Sequence, residues 1–147
     1  RCLVPADGFY EWRKLGREKQ PYRVSLAGDR PFAFAGLWER WNRGAEPVET
    51  FTVLTTEADP RIAHIHHRMP VMLAEDAAFT TWLDGDATEC ASLLTAYDGD
   101  DLVFIPVSSR VGNVRNDDAA LLEPVAEPEE PAEPAMEAPA PRQGSLF

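Results

Sequence analysis

The sequence has few cysteines, few lysines and no long apolar run, and each scarcity excludes a class of protein. Its two cysteines, Cys2 and Cys90, lie far apart and form no C-x-x-C pair, which excludes a zinc ribbon and a disulfide framework. No apolar run approaches the roughly 18 residues that a membrane span requires, so we expect no membrane partner. There is no glycine-rich phosphate loop and no internal repeat.

The charge is strongly negative. The 147 residues carry a formal net charge of −11, and only two of the 14 basic residues are lysines. Residues 123–147 hold six glutamates and one arginine, a net −5, which leaves −6 for residues 1–122. Because a negative surface repels nucleic acid, any DNA binding must come from a local site.

Hydrophobic periodicity predicts an α+β chain of short strands with a few short helices. Gly8 is the last residue of a turn signature and is expected to adopt positive φ. Residues 13–20 are expected to be a hairpin loop and residues 39–49 a surface loop. Aromatics in the apolar run 32–38 and residues Cys90, Leu93 and Leu94 are expected in the core. Strands are predicted at 3–4, 9–12, 21–26, 32–38, 50–56, 71–73 and 102–107, and helices from Asp59, at 74–83 and at 88–96.

All three histidines fall within four residues of one another, in the segment Ala63-His64-Ile65-His66-His67-Arg68-Met69-Pro70. Histidine titrates nearest physiological pH, so this concentration indicates proton-transfer chemistry or a metal site. A histidine-rich structural loop is the alternative.

The strand Phe9-Tyr10-Glu11-Trp12 places a carboxylate among three aromatic residues. Such surroundings would lower the local dielectric and raise the pKa of Glu11, which suits general acid–base work. A solvated glutamate on an edge strand is the alternative interpretation.

The C-terminal composition predicts a disordered acidic linker over residues 126–142, because glutamate, proline and alanine cannot bury enough surface to offset conformational entropy. It is followed by Gln143-Gly144-Ser145-Leu146-Phe147, whose terminal apolar pair is typical of a tethered peptide ligand. At the other end, the chain opens on Arg1 and its first residues already read as a strand, so we expect a fragment that lacks an N-terminal portion.

Three motifs together resemble the SOS response-associated peptidase (SRAP) family, in its order and spacing. They are residues 1–12 (RCLVPADGFYEW), residues 65–70 (IHHRMP) and Val107-Ser108 with residues 111–114 (VGNV). The resemblance covers residues 1 to about 125 and implies an open-barrel, largely antiparallel core. It also implies a DNA-repair protein that senses abasic sites in single-stranded DNA.

In that family an N-terminal cysteine, exposed when the initiator methionine is removed, closes a thiazolidine crosslink with the ring-opened abasic site. The resemblance implies that Glu11 and His66 are catalytic, that Arg68 holds a phosphate, that Trp12 packs near the lesion and that Thr55 lines the DNA groove. His64 and His67 receive no role, and no cofactor or metal is implied.

The chain departs from the family pattern because the nucleophilic cysteine is missing. Cys2 follows Arg1 inside a strand and has no free α-amine, so it is expected to be a buried strand cysteine. We therefore expect that this chain alone does not form the crosslink, although the family has peptidase-type and lyase-type activity.

Separate features of the sequence suggest where the protein acts and which partner it binds. The terminal residues Gln143, Leu146 and Phe147 resemble a peptide that binds a replication sliding clamp. We expect a cytoplasmic, nucleoid-associated monomer. Two alternatives stay open: a non-catalytic module that binds single-stranded DNA or the clamp, and a metal-dependent hydrolase that uses the histidines.

Overall fold

The computed structural model describes residues 1–127, in which nine strands and two α-helices form an α+β fold, as predicted. The strands are β1 Cys2–Ala6, β2 Phe9–Leu15, β3 Glu18–Leu26, β4 Phe32–Trp41, β5 Val48–Val53, β6 Thr55–Glu57, β7 Arg68–Pro70, β8 Met72–Leu73 and β9 Leu102–Pro106. The helices are α1 Asp76–Asp84 and α2 Ala87–Ser92, with 3-10 helices at Ala27–Asp29, Ser109–Gly112 and Ala119–Leu122.

Every strand pairing within residues 1–127 is antiparallel. Strand β4 is the centre of one sheet, with β1 on one edge and both β5 and β8 on the other. A second sheet has the order β2-β3-β9, and β6 pairs with β7 in a two-stranded third sheet. No helix in the described part of the chain is long and apolar enough to span a membrane.

The hairpin expected at residues 13–20 is present, but the expected length of its loop is wrong. Strands β2 and β3 continue to Leu15 and Glu18, which pair with each other around the two-residue turn Gly16-Arg17. Gly16 has φ of +60°, which glycine adopts without steric cost. Lys14 and Lys19 are an exposed cross-strand pair, and such a run of polar residues resembles a loop in the sequence. The expected 39–49 loop is likewise shortened, because β4 runs to Trp41 and β5 starts at Val48.

Gly8 does not have the expected positive φ. Glycine is needed at this position because the backbone of Gly8 lies close to β3. A Cβ atom at Gly8 would lie 3.1 Å from the Val24 carbonyl oxygen and 3.2 Å from Nε of Arg23. Glycine thus allows the start of β2 to approach the middle of β3.

The segment that leads to the histidines is a set of hydrogen-bonded turns rather than the expected helix. The carboxylate of Asp59 accepts from the Arg61 backbone N–H at 2.8 Å, as an N-cap would. The Ile62 carbonyl oxygen accepts from Ile65 at 2.8 Å and from His66 at 3.1 Å. These bonds fix the backbone just before His66.

Two buried clusters form the core. The larger joins the middle of β3 to the histidine-bearing turn and includes Val24, Ile62, Ile65 and Met69. The smaller lies between β4 and the helices and includes Trp82 and Cys90. The indole N–H of Trp82 donates to the Cys2 carbonyl oxygen at 3.0 Å, which ties α1 to β1.

Several core predictions need correction. Trp38 was expected in the core but is 53% exposed, opposite Phe51 at 63%, because the β4–β5 hairpin extends past the layers that cover the first half of β4. Leu94 is also exposed, since α2 ends at Ser92. Cys2 is only half-buried, whereas Cys90 is buried as expected.

The predicted 126–142 linker and the predicted peptide residues Gln143, Leu146 and Phe147 lie outside the described residues, apart from residues 126 and 127.

We predict that Ile62→Ala lowers the free energy of unfolding by about 2–5 kcal/mol, because it removes a fully buried side chain that anchors the histidine-bearing turn. Leu83→Ala is the control, since it removes a similar volume from a side chain that is 43% exposed, and it should cost less than about 1 kcal/mol. Urea unfolding followed by tryptophan fluorescence measures both. Equal losses would contradict the assignment of Ile62 to the core.

Candidate functional site

The structure brings Glu11 and His66 together from parts of the chain that are far apart in sequence. Glu11 is the third residue of β2, and His66 follows the turns that precede β7. Oε2 of Glu11 is 3.9 Å from Nδ1 of His66. The core packing of Ile65 and Met69, which flank the histidine, fixes this approach.

Glu11 occupies a partly enclosed position that favours its protonated form. Its side chain is 21% exposed, and this burial raises the pKa of the carboxyl above its ordinary value of 4.5. Three smaller effects lower the pKa: His66, the hydrogen bond from the Trp12 backbone N–H, and His67. The carboxyl can therefore accept or release a proton more readily near neutral pH than an exposed glutamate can.

His66 is oriented by the backbone of its own segment. Nδ1 lies 2.9 Å from the Arg68 carbonyl oxygen and 3.3 Å from the Arg68 N–H. A carbonyl oxygen can only accept, so the shorter contact favours a proton on Nδ1 that is donated to it. In this tautomer the lone pair is on Nε2, and His66 can act there as a base.

The other two histidines differ in their relation to the site. The ring of His67 packs against that of His66, with centroids 4.7 Å apart and planes tilted by 36°. Its carbonyl oxygen accepts from the Ala58 N–H at 3.0 Å, which holds the residue in place. His64 is exposed and is not among the groups that affect the pKa of Glu11.

Arg68 and Thr55 form a rigid, exposed pair beside His66. Nε and Nη2 of Arg68 donate to the Thr55 hydroxyl oxygen at 3.1 and 2.7 Å, and Nη2 also donates to the Thr55 carbonyl oxygen at 2.6 Å. The β6–β7 pairing, which places Thr55 opposite Pro70, brings the two residues together. A guanidinium held in this way loses little side-chain entropy when it binds an anion.

Trp12 is next to Glu11 but on the other face of β2. Burial alternates along the strand, so Glu11, Arg13 and Leu15 are covered while Trp12 and Lys14 are exposed. The indole, 37% exposed, therefore offers an apolar surface on the opposite face of β2 from Glu11, and its predicted packing near the lesion stays a prediction.

Sequence reasoning missed three residues near this site: Arg13, Tyr22 and Glu127. Tyr22 is the cross-strand partner of Glu11, and its hydroxyl contacts Glu127. The period-2 alternation of β2 could have placed Arg13 on the face of Glu11. No sequence signal connects either residue to Glu127.

Residues 1–127 contain no group of three or more histidine, cysteine, aspartate or glutamate side chains arranged to hold a metal ion. In this part of the chain, the three histidines therefore do not form the ligand set that a metal-dependent hydrolase would need.

Comparison with known proteins supports the sequence resemblance. The family model described as SOS response associated peptidase (SRAP) matches residues 1–114. The abasic site processing protein YoaM of Bacillus subtilis is 43% identical over 128 residues, which cover 84% of this chain and 56% of YoaM. The abasic site processing protein HMCES of Gallus gallus is 34% identical over 146 residues, covering 85% of this chain and 44% of HMCES.

The fold agrees with solved structures. A crystal structure of a protein from Bacteroides thetaiotaomicron superposes with a TM-score of 0.76 at 28% identity, covering 85% of this chain and 56% of that one. A protein from Bordetella bronchiseptica gives a TM-score of 0.65 at 35% identity, covering 73% and 54%. The chain thus spans about half the length of the relatives it matches.

We predict that Glu11 titrates above 4.5 and that His66→Asn raises its pKa further, because the histidine lowers that pKa in the wild type. The ¹³C chemical shift of the Glu11 carboxyl carbon, followed by NMR against pH, measures both midpoints. His64→Asn is the control and should leave the midpoint unchanged. A wild-type midpoint at or below 4.5, or a fall in the His66 variant, would contradict the electrostatic description.

Proposed function

This chain belongs to the SOS response-associated peptidase (SRAP) family, and from that premise we propose that it is part of a DNA-repair protein acting on abasic sites in single-stranded DNA. The observation that carries the proposal is the 3.9 Å approach of Glu11 to His66, beside an arginine held by Thr55. The relatives' names support the same substrate, because YoaM and HMCES are both called abasic site processing proteins.

The proposed reaction begins with the ring-opened abasic sugar, which is an aldehyde. An amine adds to this aldehyde and water leaves, which gives an imine, and a neighbouring thiol then adds across the C=N bond to close a thiazolidine. The steps need a base to deprotonate the amine and an acid to protonate the departing oxygen. Glu11 is suited to the proton transfers at the amine, including those during self-removal of the initiator methionine. His66 is suited to ring-opening and to reversal.

The nucleophile in this proposal is an N-terminal cysteine that residues 1–147 do not contain. Cys2 cannot replace it, since its nitrogen is a peptide amide after Arg1 and its side chain lies half-buried in β1. The chain would then supply the acid–base groups and the DNA contacts, whereas the covalent bond would be made by another part of the complete protein.

Binding of the DNA strand is assigned to the exposed groups around the acid–base pair. The Arg68 guanidinium can form charge-assisted hydrogen bonds with a phosphate while Thr55 holds it in place. Trp12, which follows Glu11 in the chain but lies on the opposite face of β2, offers a surface on which a base of the same strand can stack, a contact worth about 1–3 kcal/mol per base. We propose that the protein acts in the cytoplasm, at the nucleoid. We also propose that it acts as a monomer, and light scattering of the DNA complex tests this stoichiometry.

The alternative function applies if the complete protein has no N-terminal cysteine nucleophile. The chain would then bind single-stranded DNA without chemistry, through Arg68 and Trp12. The two functions differ in one observable, which is whether the DNA complex survives a denaturing gel.

We predict that the product of the complete gene crosslinks to an oligonucleotide with one abasic site and gives a shifted band on a denaturing gel. Glu11→Gln and His66→Asn should each lower the initial rate about 10²-fold or more, as expected for loss of a general acid or base. His64→Asn should stay within about twofold of wild type, since it is outside the site. The 147-residue chain alone should give no covalent band, and absence of the band from the complete protein would reject the chemical proposal.

We also propose, from the sequence alone, that the C-terminal peptide binds a replication sliding clamp. Gln143 would be its polar anchor, and Leu146 with Phe147 would fill an apolar pocket of the clamp.

For this peptide we predict that deleting residues 143–147, or changing Leu146 and Phe147 to alanine, weakens clamp affinity at least about tenfold, because buried aromatic anchors dominate such interfaces. Isothermal titration calorimetry with the purified sliding clamp of the source organism measures this, and Ser145→Ala is the matched control. Unchanged affinity after the deletion would remove the clamp proposal.

A further inference from the structure

The last described residues run along the sheet that carries Glu11. Pro124 forms an antiparallel bridge with Val107, and the Val125 N–H donates to the Pro106 carbonyl oxygen at 2.9 Å. These contacts extend the β2-β3-β9 sheet beyond β9. They also fix the position from which the side chain of Glu127 reaches back across the sheet.

Two side chains of that sheet hold the Glu127 carboxylate. The Tyr22 hydroxyl donates to its Oε1 at 2.5 Å, and Nη1 of Arg13 lies 3.9 Å from the same oxygen. Tyr22 is buried, and its pKa is raised first by burial and then by the bond to Glu127, so the phenol keeps its proton and stays a donor. The Glu127 side chain is 60% exposed, so its carboxylate can also turn into water.

Tyr22 and Arg13, which contact Glu127, are both close to Glu11 of the candidate site. Tyr22 pairs with Glu11 across β2 and β3. Arg13 follows Glu11 by two residues on the same covered face of β2, which corresponds to about 7 Å along a strand. A DNA strand that brings its reacting carbon to Glu11 would carry an adjoining phosphate within reach of this guanidinium.

We propose that Arg13 is a second phosphate-binding residue of the DNA site and that Glu127 occupies it until DNA binds. The proposal rests on the proposed function. Carboxylates and phosphates present similar charged oxygens to a guanidinium, so one can replace the other. In this exchange the guanidinium of Arg13 binds the phosphate in place of the Glu127 carboxylate. The carboxylate moves into water, so neither charge is left buried without a partner. Residues 123–127 are therefore an internal competitor that DNA displaces.

Fluorescence anisotropy with a labelled oligothymidylate tests the competition, because DNA without an abasic site reports non-covalent affinity alone. Glu127→Gln keeps an acceptor for the Tyr22 hydroxyl and removes the charge. We expect about two- to fivefold tighter binding, the range of an exposed ion pair. The slope of log affinity against log salt should stay the same, because the wild type and Glu127→Gln neutralise the same number of phosphates once DNA is bound. The double variant Arg13→Gln with Glu127→Gln should lose the gain in affinity, and its slope should become shallower by about 0.7, because one phosphate contact is lost.

Controls separate this inference from the proposed function. Glu123→Gln removes the same charge from an exposed residue of the same segment and should change affinity less than Glu127→Gln. An equal gain from both, or a gain that survives Arg13→Gln, would overturn the competition at Arg13. If Glu127→Gln has no effect while Arg68→Gln weakens binding, the competitor is refuted and the DNA site remains. If no variant binds DNA, the proposed function fails and this inference fails with it.

Discussion

The contact between Glu11 and His66 is the feature on which the rest of the site depends, because it requires two sheets to be held in fixed relation. Glu11 belongs to the β2-β3-β9 sheet, whereas His66 leads into the β6–β7 pair. Ile62 and Ile65 pack in one cluster with Val24 of β3, and they anchor the turn before the histidine. A loss of that packing would separate Glu11 from His66 without any change to either side chain.

The same packing produces two opposing effects on the Glu11 carboxyl. Burial raises its pKa, while His66, the Trp12 backbone N–H and His67 lower it. Full burial would raise the pKa of a carboxyl further, and full exposure would leave it near its ordinary value. Partial enclosure next to a histidine is the arrangement that allows proton exchange in both directions.

Sequence reasoning recovered the fold class and most strands, because alternation of apolar residues depends on local sequence alone. It failed where the outcome depends on neighbouring layers. The apolar run that ends at Trp38 predicted a core strand, yet exposure of Trp38 is decided by what covers the β4–β5 hairpin. The polar ends of β2 and β3 were taken for a loop because cross-strand pairing of exposed residues leaves no apolar pattern.

The candidate site was predictable only residue by residue. Glu11 and His66 were each predicted from motif and chemistry, but their 3.9 Å separation depends on the packing of two sheets. The three hydrogen bonds between Arg68 and Thr55 depend on the register of β6 and β7, which places Thr55 opposite Pro70. The Tyr22–Glu127 contact joins residues 105 positions apart and has no counterpart in any sequence pattern.

The overall acidity gives the proposed chemistry a physical rationale. Residues 1–122 carry a net charge of −6, so the chain gains little of the non-specific attraction that basic proteins have for DNA. At physiological salt, charges more than about 8 Å away are largely screened, and a few local cations such as Arg68 can still hold a phosphate. Such contacts alone would give weak, short-lived complexes. In the proposed function, a covalent bond to the lesion would supply the lifetime that these electrostatic contacts cannot.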